Sequence, residues 1–328
     1  MRTVLKETLS PVEAEEYDAF VATARGGHYS QARSWSTIAT AGRPLTVRWF
    51  LARDGGKTVG AGLLLRPRAA RYLLAPVAHM DRGPVCDDPE RVAHVARALV
   101  STTRLHGIAR LSIMPYWTDA EADAVERVLD RARFTNTQKA DGAHIATLRL
   151  ALGERTEAEI LAGGDRATLR RKLKQAEKAG ARARMGTAAD LPSLRRLHGE
   201  LMSGQSMSKK PDLYFDRLEG QLAPHGPAGL FMCEHEGDVV AAALMLRHGS
   251  VATFVLGASD RSHRSFSKMV LPFLAAIRWA RELGCTSFDL GGIPMEGDTD
   301  EKRRNIAQFK FDFDRTPVRL VSEHTRWF

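Results

Sequence analysis

Cysteine is nearly absent: Cys86, Cys233 and Cys285 are the three in 328 residues. They lie far apart without C-x-x-C spacing, which excludes a disulfide framework or a cysteine zinc site and fits a reducing cytoplasm. The eleven histidines are equally scattered, without H-x-x-x-H or related ligand spacing, so no metal is expected. No apolar run approaches the roughly 18 residues that span a bilayer. The opening MRTVLKETLSPVEAEEYDAF lacks the apolar stretch of a signal peptide. Neither export nor stable membrane insertion is therefore expected, and the location read from the sequence is cytoplasmic. No short-period repeat is visible.

The length allows two domains of ordinary size. Hydrophobic content of 44% and charged content of 27% are those of a globular chain. The balance of charge is more informative. A formal net charge of +9 and a pI near 9.7 favour a polyanionic partner; an arginine-rich solvated surface is the alternative reading.

Along the chain, Ser10, Pro11 and Glu13 form the start signature of a helix over 11–24, with Tyr17, Phe20 and Val21 on one face. Gln31 to Trp35 opens a second short helix that buries Trp35 and Ile38. Val47–Leu51 and Gly60–Leu65 read as a hairpin across Asp54-Gly55-Gly56, where positive φ is tolerated. The short run from Tyr72, the loop Asp81–Val85, a helix Pro89–His106, a strand Arg110–Met114, a helix 119–133 and a strand Ile145–Leu150 complete the first half. After Glu154–Gly164, read as an interdomain segment, come helices at Asp165–Gly180, Leu191–Met202 and Pro211–Leu222. A second hairpin, 229–234 with 239–246, turns at Glu236-Gly237-Asp238, and a strand Val251–Leu256 precedes a long apolar helix Phe266–Leu283. The two hairpins occupy similar places in their halves. Two copies of one α/β architecture with mixed sheets are expected, over 1–150 and 151–317, with 318–328 returning to the first as a strand.

The most informative stretch is GCTSFDLGGIPMEGDTDEKRRNIAQFKFDF, Gly284 to Phe313. Thr286 to Leu290 suits a buried strand that breaks at Gly291-Gly292. Read as an extended run, Phe309, Phe311 and Phe313 share one face, and Lys310 and Asp312 the other. The order apolar helix, G-C-T-S-F-D-L-G-G-I strand, polar loop and F-K-x-x-F resembles the Fem family of non-ribosomal peptidyltransferases, which move an amino acid from aminoacyl-tRNA onto an amine. The resemblance covers nearly the whole chain and implies two tandem GNAT-like domains. The family's motif usually continues with Gly, where this chain has Asp314. The helix DRATLRRKLKQAEKAG resembles the family's K-x-A-x-K-x-G signature at Lys174, Ala176, Lys178 and Gly180.

An aminoacyl ester is already activated, so a transferase must orient two substrates, relay a proton and stabilise a tetrahedral oxyanion. Lys310 among aromatics suits the last task; an edge-strand surface lysine is the plain alternative. Asp289 either positions the acceptor amine or caps a turn. Arg166, Arg170, Arg171, Lys174 and Lys178, with Arg303 and Arg304, are the expected contacts for tRNA phosphates; a solvated helix face is the alternative. The resemblance implies an acceptor side lined by Trp35, Arg82 of the Asp-Arg-Gly-Pro loop, Lys209, Lys210, Tyr214 and Phe309. It also exposes departures: Ala39 replaces a phosphate-binding lysine, Lys210 an arginine, Met114-Pro115 an Asp-Pro, and Leu256 an aromatic. These make the acceptor either a peptidoglycan precursor or a small amine of secondary metabolism. Glu296, Asp298, Asp300 and Glu301 read first as a polar loop. Arg261, His263 and Arg264-Ser-Phe-Ser-Lys268 stand where GNAT enzymes cradle coenzyme A pyrophosphate on a glycine-rich run. This segment has no glycine, so no cofactor is expected. A coenzyme A-dependent N-acyltransferase is the second reading, and a non-catalytic nucleic-acid-binding module the third.

Overall fold

The computed structural model describes residues 1–68, 76–138, 145–203, 209–222, 226–263, 265–294 and 301–328, without the side chains of 163, 302 and 303. The run from Tyr72, Arg264, Glu296, Asp298, Asp300 and the Arg303 side chain lie outside these. In chain order the first elements are β1 (Arg2–Lys6), α1 (Pro11–Thr23), α2 (Arg33–Ala39), β2 (Leu45–Asp54), β3 (Lys57–Pro67), β4 (Val77–Met80), α3 (Val92–Leu105), β5 (Arg110–Ile113), α4 (Asp119–Arg131) and β6 (Thr135–Asn136). There follow β7 (Ala146–Ala151), α5 (Glu157–Ile160), α6 (Arg166–Lys178), β8 (Arg182–Met185), α7 (Leu191–Ser203) and α8 (Asp212–Asp216). The chain ends with β9 (Ala228–His235), β10 (Asp238–His248), β11 (Val251–Ser259), α9 (Val270–Glu282), β12 (Ser287–Ile293), α10 (Glu301–Phe311), β13 (Pro317–Arg319) and β14 (His324–Trp327). No helix among the described residues is long and apolar enough to cross a membrane.

Two compact units result, 1–145 with 319–328, and 146–318. The first holds a seven-stranded sheet in the order β1-β2-β3-β4-β5-β14-β6, with β4 and β5 parallel. Its α1 begins with the Ser10–Glu13 capping box, and Gly55 and Gly56 both take positive φ at the β2–β3 turn. The second unit holds another seven strands in the order β13-β7-β12-β11-β10-β9-β8, with β11 and β12 parallel. Each sheet thus carries a parallel pair beside an antiparallel hairpin, the mixed α/β pattern expected.

Three readings are corrected. Strand β7 pairs with β12 in the second sheet, so the boundary falls before it, not after. Its sequence announces a strand but not its partner, which is a long-range choice. The helix read over 211–222 is α8 followed by a single 3-10 turn at Glu219–Gln221. Most important, Phe309 to Phe311 close α10 rather than forming an extended run. Five residues of alternation fit either period, and the preceding EKRRNIAQ favours helix. The helix places Phe309 one turn from Phe313, and both rings pack on Phe273 of α9 at 5.2 and 5.6 Å between centroids.

The site-forming irregularity lies between β11 and β12. Their parallel register ends at Thr253 opposite Asp289, although β11 runs on to Ser259 and β12 to Ile293. Both strands bulge at that point. Against β10, Leu256 faces Leu244 and Phe254 faces Met245, leaving Val255 as an extra residue. Against β7, Asp289 faces Arg149 and Gly292 faces Thr147, so two residues, Leu290 and Gly291, oppose one. Bulges raise local twist and bend strands apart. Gly291 has φ +79, and a Cβ there would sit 3.1 Å from the Phe254 carbonyl oxygen, so glycine is required both for backbone angle and for close approach.

Candidate active site

Lys310 fills the parting of β11 and β12. Anchored by Phe309 and Phe313, α10 directs its Nζ to donate to the carbonyl oxygens of Gly291 at 3.1 Å and Gly292 at 2.7 Å. The ammonium also lies 5.7 Å from the Phe254 ring centroid, within cation–π range. The residue is only 5% exposed. Burial pushes its pKa down to about 8, with the nearby Asp289 carboxylate opposing the fall. A lysine so placed changes charge near physiological pH, which an edge-strand surface lysine does not.

Asp289 is itself 4% exposed. Its Oδ1 accepts from Thr147 Oγ1 and from the Gly291 amide at 2.8 Å, and Arg149 Nε lies 3.9 Å from Oδ2. The carboxylate therefore fixes the β12 bulge whose carbonyls hold Lys310. Thr147, Phe254 and the two glycine carbonyls complete this group. Sequence reasoning missed Thr147 and Phe254, which carry no motif and reach the site through strand pairing.

Helix α6 begins at its N-cap Asp165, whose side chain accepts from the Thr168 amide at 2.9 Å. Leu169 and Ala176 are buried, whereas Arg166, Arg170, Arg171, Lys174 and Lys178 are exposed. A shallow groove runs along the outer face, lined by Ala167, Arg170, Arg171, Lys174, Gln175 and Lys178. Lys172 departs from its neighbours. It turns inward to form an ion pair with Asp312, 1% exposed, and its Nζ lies 5.6 Å from the Phe309 ring. Gly164 packs so tightly on the Asp312 backbone that a Cβ would fall 2.0 Å from its carbonyl oxygen. Arg304 is exposed on α10.

The acceptor-side candidates form two separate groups. In the second unit, Lys209 and Lys210 are exposed; the Lys210 amide donates to His198 Nε2 at 3.2 Å and its Nζ lies 5.3 Å from the Tyr214 ring. Burial raises the Tyr214 phenol well above its ordinary value and lowers the His198 imidazole. In the first unit, Trp35 stands edge-on to Tyr29 at 5.4 Å, and the Arg82 guanidinium lies 5.9 Å from Tyr116. Arg82 has φ +54. Gln31 braces that loop: its Nε2 donates to the Asp81 carbonyl while its Oε1 accepts from the Leu63 amide at 2.6 Å.

Residues 164–303 match the family described as Acetyltransferase (GNAT) domain. The crystal structure of FemX superposes with a TM-score of 0.83 at 17% identity, covering 100% of this chain and 98% of that one. A lipid II:glycine glycyltransferase of Staphylococcus saprophyticus is 32% identical over 75 residues, 23% of this chain. The chain has the fold of FemX, and its second unit resembles a GNAT domain. Among curated relatives, the match spans 18% of the glycyltransferase's length, and a Staphylococcus epidermidis protein of the same name matches at 30% over 77 residues, also 18% of its length. The fold is shared more widely. The structure of L-PGS from Bacillus licheniformis has a TM-score of 0.62 at 14% identity, covering 98% of this chain and 93% of that one. A tandem GNAT protein from the clavulanic acid biosynthesis pathway has 0.57 at 15%, covering 99% and 98%.

Proposed function

We propose that this protein is an acyltransferase that moves an aminoacyl group from aminoacyl-tRNA onto an acceptor amine, in the cytoplasm. The observation that carries the reading is Lys310, a buried ammonium held by two backbone carbonyls where β11 and β12 part. The acceptor nitrogen attacks the ester carbonyl carbon and a C–N bond forms. The C–O bond to the tRNA ribose breaks, and the proton lost by the amine ends on the departing ribose hydroxyl. Two of the three Lys310 N–H bonds fix the side chain; the third stabilises the developing oxyanion, whose attraction to a cation is strong where water is excluded. Lys310 is thus the catalytic residue, and Asp289 positions it and sustains its charge.

Exposed Arg166, Arg170, Arg171, Lys174 and Lys178 on α6, with Arg303 and Arg304 on α10, are assigned to tRNA phosphates. Lys209, Lys210, Tyr214 and Phe309, with Trp35 and Arg82, are assigned to the acceptor. The relatives named lipid II:glycine glycyltransferase favour a peptidoglycan-precursor amine. Ala39, in place of a phosphate-binding lysine, favours a smaller amine as the second reading of the acceptor.

Asp289 provides a pH test of the assignment. Its negative charge raises the Lys310 pKa, so Asp289→Asn makes the ammonium lose its proton earlier as pH rises. Turnover, which needs the charged form, then begins to fall at lower pH than the wild-type limb near 8, with about a several-fold loss at pH 8. An unchanged alkaline limb would remove Lys310 charge from the rate.

The GNAT domain match keeps a coenzyme A donor as the second reading. It is disfavoured because the segment from Asp260 to Lys268 has no glycine to present backbone amides to a pyrophosphate, and its Lys268 is engaged with Asp260. Binding separates the three classes. Tighter binding of a non-hydrolysable aminoacyl-tRNA than of uncharged tRNA supports the proposal. Thermal stabilisation by micromolar coenzyme A supports the second reading, and salt-sensitive RNA binding indifferent to the aminoacyl group supports a plain nucleic-acid module.

A further inference from the structure

Two histidines that sequence spacing leaves unrelated are brought together by the second sheet. His235 is the last residue of β9, Glu236 and Gly237 form the turn into β10, and His263 follows the end of β11. We propose that His235, Glu236 and His263 form a site for a divalent transition ion, Zn2+ foremost. One donor atom from each lies within 4.8 Å of the others. The Glu236 carboxylate is 3.8 Å from His235 Nε2 and 4.0 Å from His263 Nε2. Two bonds of ~2.1 Å at a tetrahedral angle hold donors about 3.4 Å apart, so a modest contraction around an ion completes the geometry. The Glu236 side chain, 75% exposed, is free to make that adjustment.

The surroundings have the features that a metal-binding histidine needs. His263 Nδ1 lies 3.1 Å from Asp260 Oδ2 and 3.0 Å from Ser262 Oγ. With Nδ1–H donated to the carboxylate, the Nε2 lone pair is the one that faces Glu236 and His235, the carboxylate–histidine–metal arrangement of built sites. Asp260 is in turn fixed by the Ser262 hydroxyl at 2.8 Å and by Lys268, whose Nζ also donates to the Asp260 carbonyl at 2.9 Å. His235 is 9% exposed, ringed by Phe266 at 5.1 Å and His263 at 4.8 Å, with Nδ1 buried and Nε2 as the outward nitrogen. Glu236 has φ +53, a conformation uncommon for glutamate, and it presents the carboxylate beside both rings.

Two imidazoles and one carboxylate suit Zn2+ or Co2+ rather than Mg2+ or Ca2+, and three protein ligands leave a coordination position open for water or an anionic oxygen. An ion here would clamp the β9–β10 turn to the segment leading from β11 into α9. The site uses none of the residues assigned to transfer, so its test is independent of that reading.

Tag-free, metal-stripped protein is titrated with Co2+, followed by visible absorption, and then with Zn2+ as competitor. One ion per chain is expected, with His263→Asn and Glu236→Gln each weakening uptake at least tenfold and Asp260→Asn weakening it about 10–100-fold. Glu236→Gln alters an exposed turn side chain and leaves the core untouched, so loss of uptake in that variant reports on the ligand and not on unfolding. Absence of stoichiometric uptake, or uptake unaltered in both His263→Asn and Glu236→Gln, would overturn the proposal.

Discussion

Lys310→Met is expected to lower the turnover of aminoacyl transfer by about 10²–10³, the loss seen when one oxyanion donor is removed, with tRNA affinity unchanged. Methionine keeps the unbranched length and apolar stem but supplies neither charge nor donor. Burial depresses the Lys310 pKa from 10.5 to about 8, so the charged side chain is itself a cost to the fold near neutral pH. The sign follows from linkage. Below pH 8 the lysine is charged in both folded and unfolded chains, and the folded chain bears the full cost of a desolvated cation. As pH rises from 8 to 10.5 the folded chain releases its proton first and that cost disappears. The depression corresponds to roughly 3 kcal/mol, partly offset by the two carbonyl hydrogen bonds that methionine forfeits. The variant should therefore melt close to wild type at neutral pH, and its stability should lack the rise between pH 8 and 10.5. Measuring kcat, donor affinity and melting temperature on one preparation separates catalysis from folding. Unchanged turnover would remove Lys310 from the mechanism.

The second large effect concerns the outer face of α6. Arg170→Gln, Arg171→Gln and Lys174→Gln together should weaken tRNA binding about 10²-fold at low salt and reduce the slope of log K against log salt by about 2–3. Glutamine is a good helix former, and all three side chains are exposed, so α6 should persist and the melting temperature stay close to wild type. Lys172→Gln should behave in the opposite way. It leaves Asp312, 1% exposed, without its ion-pair partner, and should destabilise the protein by about 3–5 kcal/mol with little change in salt slope. Equal salt slopes for the triple variant and wild type would remove this helix face from tRNA recognition.

The contrast between Lys172 and its neighbours shows where sequence reading stops. In DRATLRRKLKQAEKAG every cation carries the same signal, and only the docking of α10 distinguishes the inward one. Local grammar was legible: the Ser10–Glu13 capping box and the Gly55-Gly56 turn each act over a few residues, and their structures follow from side-chain chemistry. The glycines at 291–292 were legible as a place where backbone bends, but they form a bulge within β12 rather than its end. What makes the bulge matter is the divergence of β11, set by Val255, which is an extra residue against its hairpin partner β10. The alternation at Phe309, Phe311 and Phe313 was ambiguous for a different reason: aromatic residues two apart and four apart coexist in the same five residues. Packing of Phe309 and Phe313 on Phe273 decides for the helix. His235 and His263 show no ligand spacing because a hairpin and a strand end, not one helix, bring them together.

Donor chemistry is tested most directly by transfer of labelled amino acid from a pool of charged tRNAs, with RNase-treated and Lys310→Met controls. The acceptors are peptidoglycan precursors and a small-molecule extract. Label appearing in an amide-linked product, abolished by RNase and reduced at least a hundredfold in the variant, is the predicted result. No transfer to either acceptor, together with acetyl transfer from acetyl-coenzyme A by the same preparation, would contradict the tRNA-dependent reading.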